Sequence, residues 1–259
     1  MMGFVSLIQN EWMKINSKRQ SWFFYLFLIT FVLLAGLIIF FFLKSLADNI
    51  GAADFTNYMN TAFGIFITIY MMVMGAQIIT DEYRDGTIKQ LLIRPAGRAA
   101  ILGSKYVTLL LLLLATYAIL YVFSLLLGTI LFGVDNSGAT PGSVLGGILY
   151  QLPGLVFFVT LSFFMAVVFK SLGLAISISI VANFIGGVLT GLLSKYEWSK
   201  FIIFANTDLT VYSKNTLISS GARPFKEGMT LGFSLTVIVV YVIVLYVLAN
   251  WIFARRDVQ

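Results

Sequence analysis

Residues able to act on something else concentrate in one short stretch, 81–98, which reads Asp81-Glu-Tyr-Arg-Asp-Gly-Thr-Ile-Lys-Gln-Leu-Leu-Ile-Arg-Pro95-Ala-Gly-Arg98. Ile88, Leu91 and Leu92 stand at i, i+3 and i+4, so a short helix here carries an apolar stripe. Asp85 and Lys89 form an i, i+4 pair, Thr80 or Asp81 can cap the start with acids in the first turn, and Pro95-Ala-Gly97 ends the helix. The chemistry on offer is docking, of a greasy stripe and a charged face against either a protein or lipid. Catalysis finds no support in residue types. Histidine and cysteine are absent, which removes the commonest general base, the commonest metal ligand and any thiolate site. The expectation is a chain that is no enzyme and holds no cofactor or metal.

The elements that must position this stretch are set by lipid. The 259 residues are 59% hydrophobic and 11% charged, against about 25% charged in ordinary soluble domains. Six charge-free windows occur, 20–43, 55–80, 106–134, 136–169, 171–194 and 228–254, each long enough to supply the roughly 20 apolar residues of a spanning helix. The fourth opens on the turn-like run Asn136-Ser-Gly-Ala-Thr-Pro-Gly142, so its helix starts near Ser143. Without strict alternation these windows are helices, not barrel strands. The expected fold is all-α, one transmembrane domain over 1–259 with spans at about 22–43, 57–80, 106–133, 143–169, 172–193 and 229–253. Ahead of them, Phe4, Leu7, Ile8, Trp12 and Ile15 share one helical face. Two readings fit 3–18, an amphipathic helix in the membrane interface and an extension of the first span.

Eleven of the seventeen Lys and Arg fall on the side that carries both termini and the 81–98 loop, and six on the other. Positive charge stays inside, so both termini are expected in the cytoplasm of a cell membrane, a bacterial one since no longer targeting segment precedes the first helix. The windows hold no Asp, Glu, Lys, Arg or His, which weighs against proton carriers and intramembrane proteases. Ser177, Ser179 and Asn183 in the fifth window either line a conduit or hydrogen-bond between helices. Gly142-x-x-x-Gly146 and Gly187-x-x-x-Gly191 suggest close helix contacts, and Pro153-Gly154 a kink. The aromatic-rich 195–227 segment belongs at an interface, anchoring there or gating a path.

The pattern Glu82-Tyr-Arg-Asp-Gly86-Thr87-Ile88, followed by Leu91-Leu92, Pro95 and Arg98, resembles the cytoplasmic loop of ABC-2-type transporter permeases, and Asn10-Glu11-x-x-Lys14 is similar to the N-terminal segment of bacterial members, including bacitracin- and lantibiotic-resistance exporters. The resemblance implies that 81–98 is a coupling helix seated in a groove of a separate cytoplasmic ATPase. It would put Glu82, Tyr83, Arg84, Asp85 and Gly86 at that interface, with Thr87, Ile88 and Leu91 packing the helix against it, and a short re-entrant helix at 198–205. It also implies a second permease subunit and ATP with Mg bound on the partner. The chain has no G-x-x-x-x-G-K-[ST] of its own, Gly103-Ser-Lys105 being a chance fragment. The expected function is therefore the permease subunit of an ATP-driven exporter for lipophilic or amphipathic cargo, peptide antibiotics among the candidates. An ion-coupled or channel-type transporter is the alternative, and no nucleic-acid partner is expected. A tag at Asn136 should be labelled by an impermeant reagent from outside the cell and one at Gln259 should not; the reverse labelling overturns the topology.

Overall fold

A computed structural model of the chain describes residues 3–43, 49–86, 97–134, 138–219 and 221–255. Those residues are all-helical, with no strand among them. The N-terminal helix α1 (Phe4–Ser17) is followed by six helices long and apolar enough to cross a membrane: α2 (Gln20–Phe42), α3 (Ala52–Arg84), α4 (Arg98–Phe132), α5 (Pro141–Phe169), α6 (Leu172–Leu193) and α8 (Leu231–Arg255). Between the last two lie three short 3-10 turns, Glu197–Phe201, Ile203–Ala205 and Thr210–Tyr212, and the single turn α7 (Thr216–Ser219). All six expected spans are present.

Local chemistry explains the boundaries. Arg19 adopts the left-handed conformation (φ 57°) between α1 and α2, which breaks the two helices apart. The amphipathic N-terminal segment is thus a separate helix. The start of α5 has Pro141 in its first turn, and Thr140 and Ser143 cap it reciprocally, each side chain accepting from the other's backbone N–H. Lys170, also left-handed (φ 53°), ends α5 and lets α6 begin two residues later.

α3 and α5 form the centre. In their most apolar stretches 56% of residues are buried, against 17% in α2 and α6 and 11% in α8. Those peripheral helices present Leu, Ile, Val and Phe outward, as a lipid-facing helix must. Several polar groups inside the bundle pair across helices: Ser162 Oγ donates to the Met72 carbonyl at 2.6 Å, Tyr106 and Thr160 share a hydroxyl contact at 2.7 Å, and Tyr70 donates to Ser21 at 3.0 Å.

Close backbone approach occurs at glycines other than the expected ones. A Cβ on Gly128 would lie 3.0 Å from both the Cα and the carbonyl oxygen of Ala52, and one on Gly75 3.1 Å from the Val159 carbonyl. These are the points where α4 meets α3 and α3 meets α5. Gly187 and Gly191 face open space, and Gly146 touches only the Ile218 side chain, so the two paired-glycine motifs do not bring helices together within this chain. Pro153 lies inside α5, which is helical on both sides of it. The adjacent Gly154 serves as a notch into which the Thr207 carbonyl fits, with no room for a Cβ.

Gly128→Leu is expected to lower stability by about 1–3 kcal/mol through overpacking against the Ala52 backbone, while Gly187→Leu leaves it unchanged; thermal unfolding of the purified variants in detergent distinguishes the two.

Candidate functional site

Contacts define two ends of the bundle. At one, Ala52 N donates to the Gly133 carbonyl and Asp54 accepts from Ala139 N. At the other, the terminal end, α1, the last turn of α3, the first two turns of α4 and the C-terminal end of α8 converge. The two stems of the 81–98 stretch, 81–86 and Arg98, sit there, and the first starts as helix earlier than the sequence suggested. α3 runs unbroken to Arg84, so Asp81 and Glu82 are the end of a long helix, not the beginning of a short one. Thr80 is buried and donates to the Ala76 carbonyl, which removes it as a cap. The helix stops at Asp85, and Gly86 takes the left-handed conformation (φ 67°) that favours glycine just past a helix end. Residues 87–96 lie outside the described residues, and with them Thr87, Ile88 and Leu91.

At the stems of this loop is a buried ionic cluster. Glu82 is turned inward and only 7% exposed. Lys105, two turns into α4 and 1% exposed, donates to Glu82 Oε1 and, at 2.8 Å, to Glu11 Oε2 of α1. Lys14, half-exposed, donates to the remaining Glu11 oxygen and to Glu82, both at 3.2 Å. Two carboxylates and two ammoniums thus form a neutral quartet joining α1, α3 and α4. One turn outward Lys18 of α1 donates to Asp81 at 2.7 Å, and Arg84 bridges Asp81 and Asp85. The far stem is tied as well: Arg98 donates to the Ala254 carbonyl of α8 at 2.8 Å.

The electrostatics give α1 a pH window. Burial alone pushes the Glu11 carboxyl up, but the charge and hydrogen bonds of Lys105, then of Lys14, overcome it and hold the group below its ordinary value of 4.5. Burial likewise disfavours the Lys14 ammonium, and Glu11 and Glu82 outweigh it, holding Lys14 above 10.5. A lowered carboxyl stabilises docking above its ordinary range and ceases to do so as pH falls through the lowered value. A raised lysine stabilises docking below its ordinary range and ceases to do so as pH rises through the raised value. Docking of α1 is therefore level across neutral pH and weakens at both extremes.

The expected site residues consequently divide. Glu82 belongs to the buried cluster and is not available as a surface contact. Tyr83 is half-buried with the Lys170 ammonium 5.2 Å from its ring centroid, which ties this stem to the α5–α6 connection. Arg84, Asp85 and Gly86 are exposed at the tip. The proposed path residues do not act together either. Ser179 is buried and bonds back to Ala175, Ser177 faces outward, and Asn183 alone lines a cleft toward the other end of the bundle. Composition missed Lys105 and the role of Glu11. The available signal was position: Glu11 falls on the same helical face as Leu7 and Ile15, both buried, where an unpaired acid would be costly.

A family model described as "Protein of unknown function (DUF2705)" matches residues 44–259. The chain is 34% identical over 213 residues to the uncharacterized protein YhcI of Bacillus subtilis (strain 168), an alignment covering 76% of this chain and 66% of YhcI, slightly under two thirds of that protein's length. It is 30% identical over 223 residues to YdbK of the same organism, described as a membrane protein, covering 81% of this chain and 83% of YdbK. No solved structure matches. With its six apolar helices and a relative so described, the chain is a multi-pass membrane protein.

Lys105→Met leaves two buried carboxylates facing each other with one half-exposed ammonium between them, and should cost about 3–5 kcal/mol. Combining it with Glu82→Leu restores neutrality and should recover most of that loss. Hydrogen exchange of 4–17 in the wild-type chain should stay slow at neutral pH and quicken in acid, once exchange rates are corrected for pH; quickening that is absent, or confined to neutral pH, contradicts the cluster.

Proposed function

We propose that this chain, which belongs to the DUF2705 family, is the membrane-spanning subunit of an ATP-driven exporter whose ATPase is a separate polypeptide docking on the 81–98 loop. One observation carries the reading. Both stems of that loop are anchored, one to α1 and α4 through Glu82, Glu11, Lys14 and Lys105, the other to α8 through Arg98. A loop that only joined two helices would need no such anchorage. Pushed from the cytoplasm, this one moves four helices at once. The resemblance of Glu82-Tyr-Arg-Asp-Gly86 to an ABC-2 coupling loop supports the same reading; these 259 residues carry no phosphate-binding loop, and in this reading the nucleotide chemistry, with its Mg, is on the partner.

In this reading both termini are cytoplasmic, a second permease subunit of the same or a similar sequence completes the conduit, and the cargo is lipophilic or amphipathic. Exposed Arg84, Asp85 and Gly86, with Thr87, Ile88 and Leu91 beyond them, meet the ATPase, while Glu82 and Tyr83 transmit the movement inward. The ion-coupled alternative gains one observation, since buried ionisable groups often mark ion paths. Every carboxylate in the quartet is held by a lysine, however, and the whole is neutral. That suits a pin better than a carrier site, which has to be emptied and refilled.

Asp85→Lys is expected to abolish copurification of the ATPase and ATP-dependent export without lowering thermal stability, because a cation at a helix C-terminus is electrostatically favourable. Retained export by this variant removes the docking role, and an ATPase-free chain that moves ions in proteoliposomes establishes the alternative.

A further inference from the structure

A cleft of about 350 Å³ opens beside the 3-10 segment and runs into the bundle. Asn60, Gly64 and Thr68 line it at four-residue spacing on α3, so it follows that helix for about 12 Å at 1.5 Å per residue. Gln151 of α5, Asn183 of α6 and Thr207, Asp208 and Thr210 of the connecting segment complete the polar wall, with Tyr117 and Phe158 on the apolar side. The volume lies within the range of small-molecule sites.

Donor and acceptor chemistry identifies what would fit. Thr61, Thr68 and Thr207 each donate their hydroxyl proton to a backbone carbonyl, of Asn57, Gly64 and Phe204 respectively. What they turn to a ligand is lone pairs. Asn60 is 4% exposed; its amide nitrogen donates to Gln151 at 3.4 Å, and its Oδ1 has no hydrogen-bond partner among the described residues. A buried carbonyl left without a donor is costly, and this one borders the cleft. Asp208, exposed at the rim, accepts from Thr210 through one carboxylate oxygen only. The lining contains no Lys or Arg. Beside the amide N–H groups of Gln151 and Asn183 and the Tyr117 hydroxyl, the cleft thus offers a row of acceptors, one negative charge and two aromatic rings.

From this arrangement we infer that the cleft binds a ligand bearing a primary ammonium on an apolar stem, the ammonium taken by Asn60 Oδ1, the threonine oxygens and Asp208, and the stem resting against Phe158, Leu155 and Tyr117. The site goes beyond the exporter reading and stands without it, since binding requires no ATPase.

The test is calorimetric titration of the full chain in zwitterionic nanodiscs, with empty nanodiscs as the blank, using hexylammonium, hexyltrimethylammonium and 1-hexanol as probes. Saturable binding of hexylammonium alone is expected, weakened roughly tenfold in Asp208→Asn by loss of one charge-assisted hydrogen bond. Asn60→Leu should weaken it similarly while thermal unfolding remains cooperative. Binding no greater than to empty nanodiscs overturns the inference. So does equal affinity for hexyltrimethylammonium, which has charge but no N–H donor, or unchanged affinity in Asp208→Asn, whose exposed side chain makes misfolding no explanation. If sodium chloride competes at the same concentration as potassium chloride or choline chloride, the effect is screening and the ammonium site stands; competition by sodium alone would assign the cleft to a metal cation instead and overturn the proposal.

Discussion

Lys105 lies two turns inside α4 with 1% of its surface exposed, and an ammonium removed from water at that depth is tolerated only among compensating oxyanions. The compensation comes from elements distant in sequence, Glu11 on the amphipathic helix and Glu82 on the last turn of α3. Each of the two carboxylates would be as poorly placed without the lysine. Mutual dependence is what fixes the geometry here. Apolar side chains on lipid-facing helices can slide past one another at modest cost, because lipid tails solvate them as well as a neighbouring helix does. An ionic quartet out of water cannot, since displacing one member by a few ångströms exposes the others to an uncompensated charge. The terminal end is therefore the rigid end of an otherwise greasy bundle, and the register of α1, α3 and α4 follows from it.

The same constraint explains why some of this was legible in the sequence and some was not. The six spans were, since a chain in hydrocarbon must satisfy its backbone internally over a length fixed by the bilayer, and the charge-free windows record that requirement directly. The amphipathic α1 was also legible from the spacing of Phe4, Leu7, Trp12 and Ile15. The extent of α3 was not: charged Asp81, Glu82 and Arg84 read as the first turn of a separate short helix, and only their partners Lys18, Lys14 and Lys105 make them the end of a long one. Lys105 itself looked like one more positive charge on the cytoplasmic side. Pairing between residues 94 positions apart leaves no local pattern.

Glycines show the limit from another direction. Gly187 and Gly191 have the spacing of a helix contact and open onto no neighbour among the described residues, whereas Gly128, in a run of leucines without a paired glycine, accommodates the Ala52 backbone. A small residue permits close approach but does not select the partner. That choice depends on where α3 is held, and α3 is held at one end by Asp54 on Ala139 N and Ala52 N on the Gly133 carbonyl, and at the other by the ionic quartet. The polar residues of α6 divide for a similar reason. Ser179 closes its hydrogen bond within its own helix, so only Asn183, placed where the 3-10 segment folds inward, meets the cleft.

α3 carries both features. Asn60 borders the cleft, and Glu82 in the last turn of the same unbroken helix enters the ionic quartet. The 22 residue steps from one to the other span about 33 Å of helix, with no Pro inside it at which it would kink. A helix of that kind transmits displacement along its axis and rotation about it with little loss. Its neighbours constrain the direction: Gly75 meets the Val159 carbonyl of α5 at a distance that leaves no room for sideways approach, while Ser162 bonds to the Met72 carbonyl one turn earlier. Movement of the loop stem at Arg84 is thus converted chiefly into sliding or turning of α3 against α5. Either motion shifts Asn60 relative to Gln151 and Thr207, the residues that face it across the cleft. The cleft and the loop stem are thus joined by one continuous helix, which holds an end of each.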